Sequence, residues 1–148
     1  MIKDYKNEFE LCVRAIIQQN GKILVCKNKE KNYYFFPGGH INFGETAEKA
    51  LRRELKEELY ISIKSVSFIG AVENVFREGR KKHHELDLVF NVKAEKVKDK
   101  SKEDHIDFVF FDNKRFAKEI IFPLALRDNV HKWLKNGKIF WDSQIEKI

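Results

Sequence analysis

Apolar residues fall at alternate positions from Leu11 through Val13 and Ala15 to Ile17, the two-residue period of a strand with one buried face. Asn20-Gly21 follows, and then the apolar run Ile23-Leu24-Val25-Cys26, so the pair predicts a hairpin closed by an Asn-Gly turn. After the polar stretch from Lys27 to Asn32, Tyr33 to Phe36 reads as a short aromatic strand stopped by Pro37. Gly38 and Gly39 then give a turn in which the backbone bends freely and comes close to another group. Past them the period changes. Ala47, Leu51, Leu55 and Leu59, with Ala50 beside them, form a helical apolar stripe. Thr46 can cap this helix, although Lys49 stands where a capping box has Glu or Gln. One face of the helix should lie on a sheet, with its glutamates turned aside.

Ile63 to Phe76 is rich in strand formers, and Arg77 to His84 reads as a basic loop opened by Glu78-Gly79. Leu86, Leu88, Phe90 and Val92 alternate with Asp87, Val89 and Asn91, which predicts a strand with one core face. Lys93 to Asp104 reads as a charged surface loop and Ile106 to Phe111 as a short strand. Pro123 opens a last helix with Leu126, Val130, Trp133 and Leu134 on its apolar face, and Gly137 ends it. Strands before, between and after two helices predict an α+β fold, an α/β/α sandwich with a mixed central sheet. No repeat or linker divides the chain, so residues 1–148 are expected to form one domain.

Composition narrows the class. With 43% hydrophobic residues and 13 Phe, the chain can build a core, which excludes a disordered protein. A net charge of +6 favours acidic partners: phosphates, nucleotides, nucleic acid or an anionic membrane surface. Cys12 and Cys26 are spaced unlike a zinc or redox motif and read as buried thiols in a reducing compartment. MIKDYKNEFE has no apolar signal core and no apolar run approaches the length of a membrane span, so the expectation is a cytoplasmic protein.

The chemistry concentrates between Gly38 and Ile61. On a helix, Glu54 is three residues before Glu57 and four before Glu58, so the three carboxylates share a side. Like charges at that spacing repel, and a divalent cation would give a reason for them, since hard cations take carboxylate oxygens. An ordinary solvated face is the plainer reading, because Glu48–Arg52 and Arg53–Glu57 are helix-compatible ion pairs.

The order Gly39-x5-Glu45-x7-Arg53-Glu54-Leu55-x-Glu57-Glu58-x-x-Ile61, preceded by Pro37-Gly38, resembles the signature box of the Nudix hydrolases. The resemblance implies that family's three-layer fold and hydrolysis of a nucleoside diphosphate linked to another group, using Mg²⁺ or, in its place, Mn²⁺. It makes Glu54, Glu57 and Glu58 the metal ligands, with the Gly38 carbonyl as a further one, and Glu57 a candidate general base. Arg53 and Glu45 become an ion pair fixing the loop against the helix. A later acid is expected among Glu103, Asp104 and Asp107, with Asp107 in the favoured position. Gly39, His40 and Phe76 are further substrate-binding candidates; Tyr34 and Phe43 are alternative stacking partners for a base. One position departs from the pattern: Tyr60 stands where the box has glycine. A left-handed tyrosine costs roughly 1–2 kcal/mol, so the expectation is a helix that runs on or exits differently.

Outside the box, the family marks for ADP-ribose, dinucleoside polyphosphates and NADH are absent, which leaves nucleoside triphosphates or a small nucleoside diphosphate derivative. A small-molecule nucleotide partner is therefore expected, no membrane partner, and a homodimer stays open. The rival reading is a non-catalytic nucleotide- or RNA-binding module, for which the charge and the basic loop speak. A diphosphate isomerase would need a catalytic cysteine or an extra acid.

Overall fold

The computed structural model describes residues 7, 9–31, 33–95, 97 and 106–146. Nine strands and three helices are assigned among them: β1 (Phe9–Gln19), β2 (Lys22–Asn28), β3 (Tyr33–Phe35), β4 (Gly38–His40), α1 (Ala47–Leu59), β5 (Ile63–Glu78), β6 (Lys81–Ala94), β7 (Ile106–Phe111), α2 (Asn113–Lys118), β8 (Ile121–Phe122), α3 (Leu124–Asn136) and β9 (Phe140–Ile145). The mixed α+β architecture agrees with the expectation from the strand and helix periods.

β1 and β2 share only the rungs next to the Asn20-Gly21 turn, Gln18↔Ile23 and Gln19↔Lys22, and then part. β1 joins β6 in parallel over nine rungs, while β2 pairs with β3 and β7. The sheet therefore curls into two wings, in the order β8-β3-β2-β1-β6-β5-β9. α1 fills the angle between them. Its Ala50, Leu51, Leu55 and Leu59 are fully buried against Val13, Ala15, Ile17, Leu24 and Cys26, as the helical stripe and the alternation of β1 require. A second core lies on the other face, where Ile16, Val72 and Val89 pack with Leu126 and Val130 of α3.

Several boundaries differ from the sequence expectation. Gly38-Gly39-His40 is a strand, because Arg14, Val13 and Cys12 of β1 pair with it. The basic stretch is a loop only at Gly79-Arg80: pairing of β5 with β6 runs on to Glu78↔Lys81, and His83 is 8% exposed. The expected outer face of β6 is also buried, with Asp87 and Val89 both fully covered. α2, β8 and β9 went unforeseen. They are short or polar, and their burial comes from partners distant in sequence, Tyr34↔Ile121 and Gly70↔Phe140 among them. Most of the expected loop from Lys93 to Asp104 lies outside the described residues.

The exit of α1 is the most informative difference. Tyr60 takes the left-handed conformation itself, with φ 55° and ψ 29°, and the helix ends there rather than running on. The Ile61 amide donates to the Leu55 carbonyl at 3.2 Å, and Ile61 is buried with Leu55 in the same core cluster. That hydrogen bond and apolar contact offset the strain that a side chain brings to this conformation.

Candidate active site

Thr46 caps α1 by accepting from the Lys49 amide at 3.2 Å, and the buried stripe fixes the helix's rotation. Arg53 consequently faces the loop between β4 and α1. Its Nε and Nη2 donate to Glu45 Oε2 and Oε1 at 2.8 and 2.9 Å, a two-pronged bond. Nη2 also reaches the His40 carbonyl at 2.9 Å, and Nη1 donates to Glu54 Oε1 at 2.8 Å, with Glu57 Oε2 at 3.6 Å. Glu45 in turn accepts from the Asn42 amide at 3.1 Å. The Arg53 bond, seconded by that amide, holds the Glu45 carboxyl down at about 2. Arg53 itself is pushed further up, first by the Glu45 hydrogen bond, with burial opposing and Glu54 adding to the rise. One guanidinium thus binds loop, strand and helix together.

The two glycines make this approach possible. Gly38 has φ 148°, and a Cβ there would overlap the Val13 carbonyl oxygen. At Gly39 a Cβ would fall 2.6 Å from both oxygens of Glu54, whose carboxylate occupies that space. Ala15 N–H donates to Pro37 O and Ile41 N–H to Leu11 O, bonds that flank the Val13↔Gly39 rung. In an antiparallel ladder this turns the Gly38 and His40 carbonyls away from β1. Arg53 takes the His40 carbonyl; Gly38 offers its own on the same side.

Residues 9–133 match the NUDIX domain family. The chain belongs to the Nudix family. A protein of Methanocaldococcus jannaschii named ADP-ribose pyrophosphatase is 31% identical over 86% of this chain and 75% of its own length. An RNA pyrophosphohydrolase of Edwardsiella ictaluri is 39% identical, but over 43% of this chain and 36% of its own length. Among solved structures, the MutT protein of Bacillus halodurans superposes with a TM-score of 0.74 over 92% of this chain and 90% of its own, at 16% identity, which shows the shared fold.

The Nudix box is thereby assembled in three dimensions. Glu45, Arg53 and Glu54 form one network with Glu57 at its edge, while Glu58, 8% exposed, lies on the inner side of the helix. Glu57 is the outermost of the three helix carboxylates, with its side chain 58% exposed. The other expected positions are not gathered here. Asp107 is exposed and pairs with Lys29 at 3.3 Å. Its strand neighbours Val109 and Phe111 pack in the α3-side core, so alternation puts Asp107 on the face away from α1. Phe76 stacks on His83, with centroids 4.6 Å apart and planes at 5°. His40 is exposed, its Nε2 3.3 Å from Glu10 Oε1. Phe43 stands fully in solvent, and Tyr34 lies edge-on to Phe111. Glu103 and Asp104 lie outside the described residues.

Sequence reasoning missed a second polar array. Arg14 Nε donates to Asp87 Oδ1 at 3.1 Å, and Asp87 is completely buried. Burial is the largest influence and works to lower the Arg14 pKa, but Asp87, by its charge and its hydrogen bond, together with the nearby Cys12 and Glu85, raises it on balance and holds Arg14 charged. Next to them Glu10 accepts from His83 Nδ1 at 2.7 Å, and burial, with Asp87 nearby, pushes the Glu85 carboxyl up. The available signal was the alternation of Glu10, Cys12, Arg14 with that of His83, Glu85, Asp87, two polar series on separate strands.

Proposed function

We propose that the chain is a metal-dependent hydrolase that cleaves a phosphoanhydride bond in a nucleoside diphosphate carrying another group. A small nucleotide derivative or a nucleoside triphosphate is the substrate class. The supporting observation is the Arg53 fork, which fastens the glycine strand, the Glu45 loop and the Glu54 carboxylate into one rigid corner beside Glu57. A surface helix made only for solubility would not need Glu54 seated in the space that a side chain at residue 39 would fill.

The residues present suit a magnesium ion. The donors are all hard oxygens, from Glu54, Glu57, Glu58 and the Gly38 carbonyl, and Mg²⁺ takes such ligands with several waters retained; Mn²⁺ accepts the same set. Bound there, the cation would neutralise phosphate charge and make water more acidic. The protein's own groups do the rest. Arg53 holds Glu54 against one rotamer, so the carboxylate needs little reorganisation when the site is charged. Glu57, the most exposed of the three, is placed to accept the proton of the attacking water. Glu45 acts through Arg53 and positions the loop. Gly39, in β4 beside the Glu54 carboxylate, leaves room for the substrate's phosphates to approach.

ADP-ribose joins the first panel tested because the similarity to a protein named ADP-ribose pyrophosphatase spans 86% of this chain and 75% of that protein, although the sequence marks pointed elsewhere. Purified protein is incubated with Mg²⁺ and ADP-ribose, nucleoside triphosphates and nucleotide sugars, and the products are separated by anion exchange. Monophosphates or pyrophosphate in a Mg²⁺-dependent fashion are expected. An untouched panel, with the same nucleotides bound tightly, would establish the binding-module reading instead.

A further inference from the structure

The array on β1 and β6 has a composition that the hydrolytic corner does not explain. One ligand atom from each of Glu10, His83 and Glu85 lies within 4.8 Å of the others, and a second set, Cys12, Glu85 and Asp87, shares Glu85 with it. The register makes this contiguous: Glu10 faces Glu85 and Cys12 faces Asp87 across the parallel β1–β6 pair. An independent feature adjoins it. Asp87 is fully buried, its Oδ1 takes Arg14, and its Oδ2 has no hydrogen-bond partner. Asn74, opposite Glu85 on β5 and 7% exposed, likewise leaves Oδ1 without a partner. A buried acceptor left without a donor is unfavourable, and here two, Asp87 Oδ2 and Asn74 Oδ1, adjoin the carboxylates of Glu10 and Glu85 on one side of the sheet.

We propose that Glu10, His83 and Glu85 form a second cation site, selective for a borderline transition-metal dication such as Zn²⁺ over Mg²⁺. Arg14 already engages Asp87, which leaves the Glu10 and Glu85 carboxylates beside His83 as donors for a dication. Imidazole with two carboxylates is a donor set suited to Zn²⁺, whereas the all-oxygen set on α1 suits Mg²⁺. Glu10 Oε2 and His83 Nδ1 now share a hydrogen bond at 2.7 Å. Ligation at about 2.0–2.2 Å from each replaces that shared proton and needs the two atoms to part by only ~0.6 Å. Even positions of β1 face away from α1, since Val13, Ala15 and Ile17 pack beneath the helix and Ile16 packs on the α3 side. The site is therefore separate from the box glutamates. His40 links the two, binding Glu10 by its ring and Arg53 by its carbonyl. The proposal does not depend on the hydrolase reading.

The test is equilibrium dialysis of the metal-free protein against micromolar Zn²⁺ with millimolar Mg²⁺ present, read by metal analysis. One retained equivalent of zinc is expected. Glu85→Gln and His83→Gln should each weaken retention by about tenfold or more. Glu57→Gln should leave it unchanged. Circular dichroism confirms that each variant is folded, and the near-isosteric Glu85→Gln decides should His83→Gln lose its fold. Absence of retained zinc in the wild-type protein overturns the proposal. So does zinc that survives Glu85→Gln, or that is lost only with Glu57→Gln.

Discussion

Around Arg53, Glu45, Glu54 and a backbone carbonyl converge on one guanidinium, and each finds its donor. Across β1 and β6, Arg14 serves a single oxygen of Asp87, and the second Asp87 oxygen and the Asn74 side-chain oxygen have no hydrogen-bond donor. The first corner is half open to water and built by a loop folding back on the helix that follows it. The second is laid out by strand alternation, with Asp87, His83 and Asn74 buried and Glu10 and Arg14 partly covered. Charge is tolerated in the first because partners are local and abundant. In the second it persists because Arg14 holds Asp87 and His83 holds Glu10 across the paired strands.

Removing one member of the buried pair should have the largest effect on stability. Asp87→Ala leaves Arg14 charged and unmatched, and denaturant unfolding should lose about 3–5 kcal/mol. A loss near zero would show that water reaches Arg14 and that the two regions do not differ in burial. The next effect falls on activity. Gly39→Ala puts a methyl group where the Glu54 carboxylate sits, and a displacement of that order should lower kcat by about 10²-fold while the protein stays folded.

Arg53→Lys keeps the charge but loses the fork, so unfolding free energy should fall by about 1–2 kcal/mol, less than at Asp87. An Arg53→Lys cost above that of Asp87→Ala would invert the comparison. The smallest effect is a titration. The Glu45 carboxyl is held below its ordinary value of 4.5, at about 2, chiefly by Arg53. A depressed carboxyl stabilises the fold above 4.5, and that contribution is lost as the pH falls through 4.5 towards 2. Carboxyl NMR should therefore show Glu45 titrating near the lower value, and Arg53→Lys should move it up.

What could be read from the sequence follows the same division. The box is contiguous, so its resemblance to the family signature was enough to expect Glu45 beside Arg53, and the helical stripe of Leu51, Leu55 and Leu59 set which way the helix faces. The β1–β6 array joins residues 73 positions apart in sequence, Arg14 with Asp87 and Glu10 with His83. No local pattern encodes that pairing; it exists only once the parallel register is known. Tyr60 illustrates a different limit. Propensity argued against a left-handed tyrosine, and the burial of Ile61 behind it prevailed. Asp107 was placed by its position in the chain, but strand alternation and Lys29 direct it elsewhere.

Whether the Glu57 side of α1 carries out hydrolysis with a bound divalent ion is decided by the Mg²⁺ dependence of phosphoanhydride cleavage in wild type and Glu57→Gln. Turnover should need Mg²⁺ and fall by about 10²–10⁴-fold in the folded variant. Equal turnover in Glu57→Gln, or cleavage that persists after complete chelation of divalent ions, would contradict it.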